Sequence, residues 1–255
     1  SVGLGVMGLH SYFQQKNIPF GSVMSKVWNK KIFKNIQEKA DAASVSLAEE
    51  RGACPDAEEY GIKERFSNKT AVAPTASISI ICGGSSPGIE PIAANSYTHK
   101  TLSGSFNVRN KYLKKILQKY KKNTDEVWSS ITTNQGSVAH LDFLTAEEKD
   151  IFKTAFEIDQ RWIVELGADR TPHISQAQSI NIFIPADIHK KELHDIHFQA
   201  WKKGLKSLYY CRSKSIQRAE NVNAGSSTDV KKNVYSKEQE SNNESNNYEE
   251  CLSCQ

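Results

Sequence analysis

The feature that most constrains this chain is a break in composition at Ser215. Beyond it, residues 216–250 are rich in Asn, Ser, Glu and Lys, with scattered valines and two lone tyrosines, Tyr235 and Tyr248. Such a segment cannot bury enough apolar surface to offset its ordering entropy. It is expected to be a flexible linker, and it leads into the last five residues, 251–255, Cys251-Leu252-Ser253-Cys254-Gln255. By random-coil scaling a linker of this length spans on the order of 30–35 Å, far enough for its end to visit a buried site and then solvent. Folding therefore falls to residues 1–215, which are numerous enough to bury a substantial core.

Charge divides at the same boundary. Residues 216–255 hold four basic and seven acidic side chains, which leaves residues 1–215 with 29 basic against 22 acidic. A surplus of that size suits an anionic small molecule, but it is too diffuse to argue for nucleic acid. Glycine is 14 of 255 residues and no heptad is sustained, so collagen-like and coiled-coil readings fail. No apolar run approaches the ~20 residues a bilayer requires, so no membrane partner is expected. The start, Ser1-Val2-Gly3-Leu4-Gly5, lacks the basic region and cleavage pattern of a signal peptide. Five cysteines are an odd number, which disfavours a closed disulfide framework and favours a reducing compartment. The expectation is a soluble, cytoplasmic protein.

Along the body, Ser22 is placed to cap a helix carrying Val27, Phe33, Ile36, Ala40 and Leu47 and ending near Gly52. Residues 53–70 read as a polar loop. Residues 70–98 are β-branched, small and almost uncharged, with a Gly-Gly-Ser-Ser-Pro-Gly turn at 83–88, and so are expected to be buried or wrapped around a ligand. A helix is expected from Asn110 to Tyr120. Another is expected from Thr145 to Leu166, opened by the capping box Thr145-Ala146-Glu147-Glu148 and closed by Gly167. A strand at 180–184, a helix over 189–204 and a strand around 208–211 then spell a parallel α/β unit.

Three features carry candidate chemistry. The first is Cys251-x-x-Cys254, whose spacing lets one thiolate attack and its neighbour resolve a mixed disulfide. Half a zinc site is the alternative, but zinc takes four ligands and no second such pair exists, so no metal site is expected. The second is Ala73-Pro74-Thr75-Ala76-Ser77-Ile78-Ser79, where small and hydroxyl-bearing residues let backbone N–H groups approach an anion, above all where a helix begins. Local propensity alone reads 77–81 as a strand. The third is the adjacent pair Tyr209-Tyr210. Neighbours on a regular strand point to opposite faces, giving one core and one surface tyrosine; a shared redox role requires both rings to meet, and hence a departure from strand geometry. Cys54, Cys82 and Cys211 have no such context. His189, His194 and His197 read as solvated or partly buried side chains, and Glu90 as a turn residue at least as readily as a chemical one.

Together these features acquire a common meaning. The stretches GLGVMGLHSYF (3–13), APTASIS (73–79), GIEP (88–91), NSYTHKTLSGSF (95–106), QSINIFI (178–184) and HFQAWKKGLKSLYY (197–210), followed by a terminal cysteine pair, closely resemble the C-terminal portion of the large catalytic subunit of class I, aerobic ribonucleotide reductases. The resemblance implies the C-terminal part of a ten-stranded α/β barrel over residues 1–215, the linker 216–250 and a redox-active tail 251–255. It implies reduction of ribonucleoside diphosphates to deoxyribonucleoside diphosphates by thiyl-radical chemistry. Pro74, Thr75, Ala76, Ser77 and Ile78 fall on the substrate's phosphate-binding positions at a helix N-terminus, which replaces the strand reading of 77–81. Tyr209 and Tyr210 match a stacked pair that relays a radical from the small subunit. Cys251 and Cys254 match tail thiols that re-reduce the active-site disulfide and are reduced in turn by thioredoxin or glutaredoxin.

The family's radical-bearing cysteine lies in an Asn-x-Cys-x-Glu loop, and that motif does not occur in these 255 residues. The resemblance thus implies as partners an N-terminal half of the large subunit and a small subunit carrying a metal-linked radical. This chain itself is expected to bind no cofactor; the allosteric nucleotides ATP and dATP belong to the N-terminal part. The chain alone is expected to be inactive. A non-catalytic assembly module is the other reading, and the combination of tyrosine pair and cysteine tail argues against it.

Overall fold

The computed structural model describes residues 1–101 and 104–213. The linker from 216 and the cysteine tail lie outside the described residues. Helices α1 (Leu9–Gln15), α2 (Val23–Arg51), α3 (Pro55–Glu59) and α4 (Ala76–Ile81) precede a hairpin of β1 (Ser96–Thr101) and β2 (Gly104–Arg109). Helices α5 (Lys111–Lys119), α6 (Asp125–Thr133), α7 (Ala146–Ile151) and α8 (Gln160–Arg170) follow, then β3 (Ile182–Ile184), α9 (Lys190–Lys202) and β4 (Cys211–Ser213).

Side chains that satisfy the open ends of helices explain several boundaries. Ser22 accepts from the Ser25 N–H and Ser25 Oγ lies within reach of the Ser22 N–H, a reciprocal cap that starts α2. Gly52, at φ +80°, ends it in a conformation that side chains bearing a Cβ disfavour. Asn110 caps α5 by accepting from Tyr112 and Leu113, and Thr124 caps α6. The loop expected at 53–70 contains one short helix, α3, which Pro55 opens from its first position.

The wall of the fold is a parallel run of four extended segments. Leu4 pairs with Thr70, Val72 with Gln178, and β3 with β4 in the register Ile182 to Cys211. The β3–α9–β4 succession is the parallel unit expected from the sequence, with strands shorter than expected and the second displaced toward the C-terminus. Val72, Ile180, Ile182, Phe183 and Ile184 on this wall join Leu9, Phe13, Phe33, Val164, Leu166 and Ile196 from the helices in the main core. A second core, formed by α5, α6, α7 and the segment after α6, buries Leu113, Leu117, Trp128, Ile131 and Leu141.

Three readings from local pattern fail: a strand at 77–81, an unbroken helix from Thr145 to Leu166, and its end at Gly167. Residues 77–81 are helical, within α4, as the resemblance implied and local propensity did not; Ile78, Ile80 and Ile81 are exposed on it. The single helix expected from Thr145 to Leu166 is two. The capping box forms, but α7 ends at Ile151. The next residues are captured by competing partners: Asn95 Nδ2 donates to the Phe152 carbonyl, the Ala155 N–H donates to Ile92 O, and Glu157 accepts from both the N–H and hydroxyl of Thr154. Asp159 then caps α8 afresh. Nor does Gly167 end that helix, which continues to Arg170; a Cβ at 167 would lie 2.9 Å from Ile180 Cδ1, so this glycine serves close packing of helix on wall.

Candidate functional site

Tyr209 and Tyr210 sit just before β4, where the ladder is irregular. The Tyr209 N–H donates to Ile180 O at 2.8 Å, but the Tyr210 N–H is taken by the side-chain Oδ1 of Asn181 at 3.0 Å. The Tyr210 carbonyl then accepts from Ile182 N–H at 2.9 Å, where regular pairing begins. An amide side chain standing in for a main-chain acceptor releases the two tyrosines from strict alternation. Their rings meet at a centroid separation of 4.2 Å and an interplanar angle of 53°, and each residue is 43% exposed. The plain strand reading, one tyrosine in the core and one on the surface, is therefore wrong for this pair. Both rings border a cavity of about 430 Å³ shared with Trp201 and His197 of α9.

The phosphate-site candidates lie across the same wall. Val72 is bridged to Gln178 and Tyr209 is bonded to Ile180, so the residues after Val72 and the tyrosine pair flank one middle segment. Thr75 occupies the left-handed region at φ 55° and makes no side-chain cap on α4; its Oγ1 instead accepts from the Gly88 N–H at 2.7 Å. Gly88 packs so closely that a Cβ there would lie 3.0 Å from Ala73 O. This clamp fixes the sharp turn from the wall into α4 and sets the start of that helix against the 83–88 turn. Ser77 and Ile78 are exposed, whereas Pro74, Thr75 and Ala76 are half-buried. Ser79 is buried and its hydroxyl donates to Ala76 O. By helix geometry, the N–H groups at the start of α4 point out of its N-terminus.

A cavity of about 350 Å³ opens beside α4, with Ser11, Ala76, Ser79, Pro87, Asn95 and Arg109 on its lining. Its floor is a chain of amides, Gln14 and Asn95 buried and Asn110 half-buried, that the sequence reading missed. Asn110 Nδ2 donates to both Gln14 Oε1 and Asn95 Oδ1, and Asn95 Nδ2 donates to Gly136 O and Phe152 O. His10, buried at the same place, accepts from the Ile92 N–H at Nδ1, and burial holds its pKa down to about 3, so the ring stays neutral. No periodicity marks these polar residues; only their convergence in space does.

Arg212, also unremarked in the sequence, follows the tyrosines on β4, with its guanidinium carbon 5.9 Å from the centre of the Tyr210 ring. Glu90, in the turn after Gly88, is 7% exposed, and burial pushes its carboxyl up to about 7 against the opposing pull of Arg212. Cys82 and Cys211 are exposed and Cys54 is half-buried at the head of α3. The three histidines of 189–197 are exposed: His189 caps α9, His194 stacks on Phe198, and His197 Nδ1 contacts the Leu193 carbonyl. Cys251 and Cys254 fall outside the described residues.

Comparison with known proteins places these features in a family. The profile described as "Ribonucleotide reductase, barrel domain" matches residues 1–64 and 55–211. The chain is 48% identical over 228 residues to the ribonucleoside-diphosphate reductase large subunit of Invertebrate iridescent virus 6, covering 88% of this chain and 24% of that protein. It is 33% identical over 251 residues to the corresponding large subunit of Caenorhabditis elegans, covering 86% of this chain and 31% of that one. Among solved structures, the class Id ribonucleotide reductase alpha subunit of Actinobacillus ureae superposes with a TM-score of 0.78 at 39% identity, over 86% of this chain and 40% of that chain. The chain thus spans only a quarter to two-fifths of the length of these relatives.

Proposed function

The chain belongs to the ribonucleotide reductase barrel-domain family, and on that premise we propose that it supplies the C-terminal portion of a large catalytic subunit that reduces ribonucleoside diphosphates. Its share of the work is to hold the substrate's phosphates, to pass a radical and to turn over a disulfide. An N-terminal half of the large subunit supplies the thiyl radical, and a small subunit supplies the metal-linked radical that generates it. Thioredoxin or glutaredoxin supplies the electrons.

The observation that carries this reading is the meeting of the Tyr209 and Tyr210 rings at 4.2 Å, on a wall whose hydrogen bonding is altered to allow it. Each phenol can give up one electron and one proton together and regain both from its neighbour, so adjacent rings form a short path with no net charge left behind. On the other flank of the wall, Pro74 leads into Thr75 to Ile78, which offer backbone N–H groups and the Ser77 hydroxyl to a diphosphate, with the helix dipole of α4 favouring the anion. Replacing the 2′-hydroxyl by hydrogen consumes two electrons. A thiol pair supplies them and becomes a disulfide, which Cys251 and Cys254 reduce by exchange before they are themselves reduced by the protein dithiol.

Reconstitution tests this. The chain is mixed with a polypeptide carrying the Asn-x-Cys-x-Glu loop and with a radical-bearing small subunit, and deoxyribonucleotide formation is measured. Activity is expected only with all three components; product formed by this chain and the small subunit alone would overturn the division of labour.

A further inference from the structure

Glu90 and Arg212 bury two complementary atoms that the proposed function leaves without a role. Glu90 sits in a turn closed by its own N–H bonding to Pro87 O at 3.0 Å, and its Oε1 is buried with no hydrogen-bond partner. Arg212 Nε is likewise buried and unpaired. One is an acceptor and the other a donor, and buried polar atoms of either kind are costly to leave unpaired. The two groups act on each other, since Arg212 favours the charged form of Glu90. The same guanidinium lies 5.9 Å from the centre of the Tyr210 ring, within the range at which a cation is attracted by the face of an aromatic ring.

We propose that Glu90 is a positioning residue for Tyr210: when ionised it draws the Arg212 guanidinium toward its carboxylate and so sets where that cation lies over the ring, and when protonated it releases it. The proposal rests on the relay reading of the tyrosine pair. No electron or proton passes through Glu90 or Arg212. Their effect is electrostatic, because a cation against a phenol ring opposes the loss of an electron from it. The carboxyl, held near 7 by burial, changes charge over the range where such control is useful. Its neighbours in the turn, Pro87, Gly88, Ile89 and Pro91, bear no charge, and the nearby His10, bonded to Ile92, stays neutral. Arg212, reaching in from β4, is the charged group acting on it. The link also joins two parts of the proposed site, since Gly88, two residues before Glu90, clamps Thr75.

The experiment uses the full chain with ring-13C tyrosine, the Tyr210 resonance being identified by its loss in Tyr210→Phe. On titration the resonance should move with a midpoint near pH 7. The movement should vanish in Glu90→Gln and in Arg212→Gln, and Arg212→Lys should restore only part of it, a compact ammonium being a poor substitute for a planar guanidinium. A resonance that does not move around pH 7, or that moves equally in Glu90→Gln, would overturn the proposal. Should Glu90→Gln fail to fold by circular dichroism, Glu90→Asp replaces it: an altered amplitude supports the proposal, and an unchanged curve sinks it. In the reconstituted complex, Glu90→Gln should remove a kcat limb near pH 7 while leaving substrate KM unchanged, and a retained limb counts against it. Normal turnover by Tyr210→Phe is a separate outcome. It would end the relay reading while the 13C titration still decided whether Glu90 positions Arg212.

Discussion

The lobe built by α5, α6 and α7 and the wall that carries the tyrosine pair solve different problems. In the lobe Trp128 is 1% exposed, Leu113, Leu117 and Ile131 are fully buried, and even the indole N–H of Trp128 is satisfied, by Asn123 at 2.9 Å. Around the wall the apolar packing is as close, yet three buried polar atoms, Glu90 Oε1, Asn181 Nδ2 and Arg212 Nε, have no partner. Among the described residues, no such atom lies between 110 and 158. Two large phenols next to that polar cluster stay 43% exposed. A region selected for stability alone pairs its polar atoms or replaces them with apolar ones. The wall keeps them beside the tyrosine pair, while Glu64 Oε2, Ser85 Oγ and Asp169 Oδ2 are buried without a hydrogen-bond partner elsewhere in the body.

The largest effect that would break this contrast is functional. Tyr210→Phe, and separately Tyr209→Phe, retains the ring and nearly all its packing, so thermal unfolding should be unchanged while turnover in the reconstituted complex falls to background. Near-normal turnover by either variant would make that tyrosine a packing residue and the two regions alike. In the lobe the reverse is expected: Trp128→Ala should lower stability by about 3–5 kcal/mol in urea denaturation, through lost burial and a cavity. Its effect on turnover should disappear under conditions where the variant is fully folded; a persistent loss would extend the site into the lobe.

Ser77→Asp sharpens the comparison at the proposed phosphate site. A carboxylate facing the substrate's phosphates should weaken binding by about 1–3 kcal/mol, measured by calorimetry in the reconstituted complex, without changing the unfolding midpoint. Unchanged affinity would remove Ser77 from the site. The smallest expected effect is a pH dependence. His10 has a pKa near 3 in the folded chain, below its ordinary 6.5, so the unfolded state binds more protons as the pH falls. The stability that its neutral ring contributes is nearly complete by about pH 7.5 and is lost on acidification toward 3, about 1.4 kcal/mol of it by roughly pH 5.5. Comparing the unfolding midpoint of wild type and His10→Gln across that range checks this; parallel curves would show that the buried imidazole does not set the acid limit.

Local chemistry written along the chain determined a good part of this protein. The Ser22 and Thr145 caps, the Asn110 start of α5 and the parallel α/β unit were all legible, because a cap or a strand run needs only residues a few positions apart. The hairpin of β1 and β2 went unread: β2 is almost wholly exposed and carries no buried period to detect. Tertiary structure alone decided the rest. It split the helix after Thr145, because Asn95 and Ile92, distant in sequence, take the backbone groups that would have continued it. At 76–81 the family resemblance had already implied a helix start against the strand that β-branched residues favour, and the structure adds the Thr75–Gly88 clamp that turns the chain there. It brought two adjacent tyrosine rings together through the Asn181 side chain, and it buried Glu90 Oε1 and Arg212 Nε without partners. These contacts reach from 13 to 57 or more residues along the chain, and a linear pattern holds no record of which distant groups will compete for the same hydrogen bond.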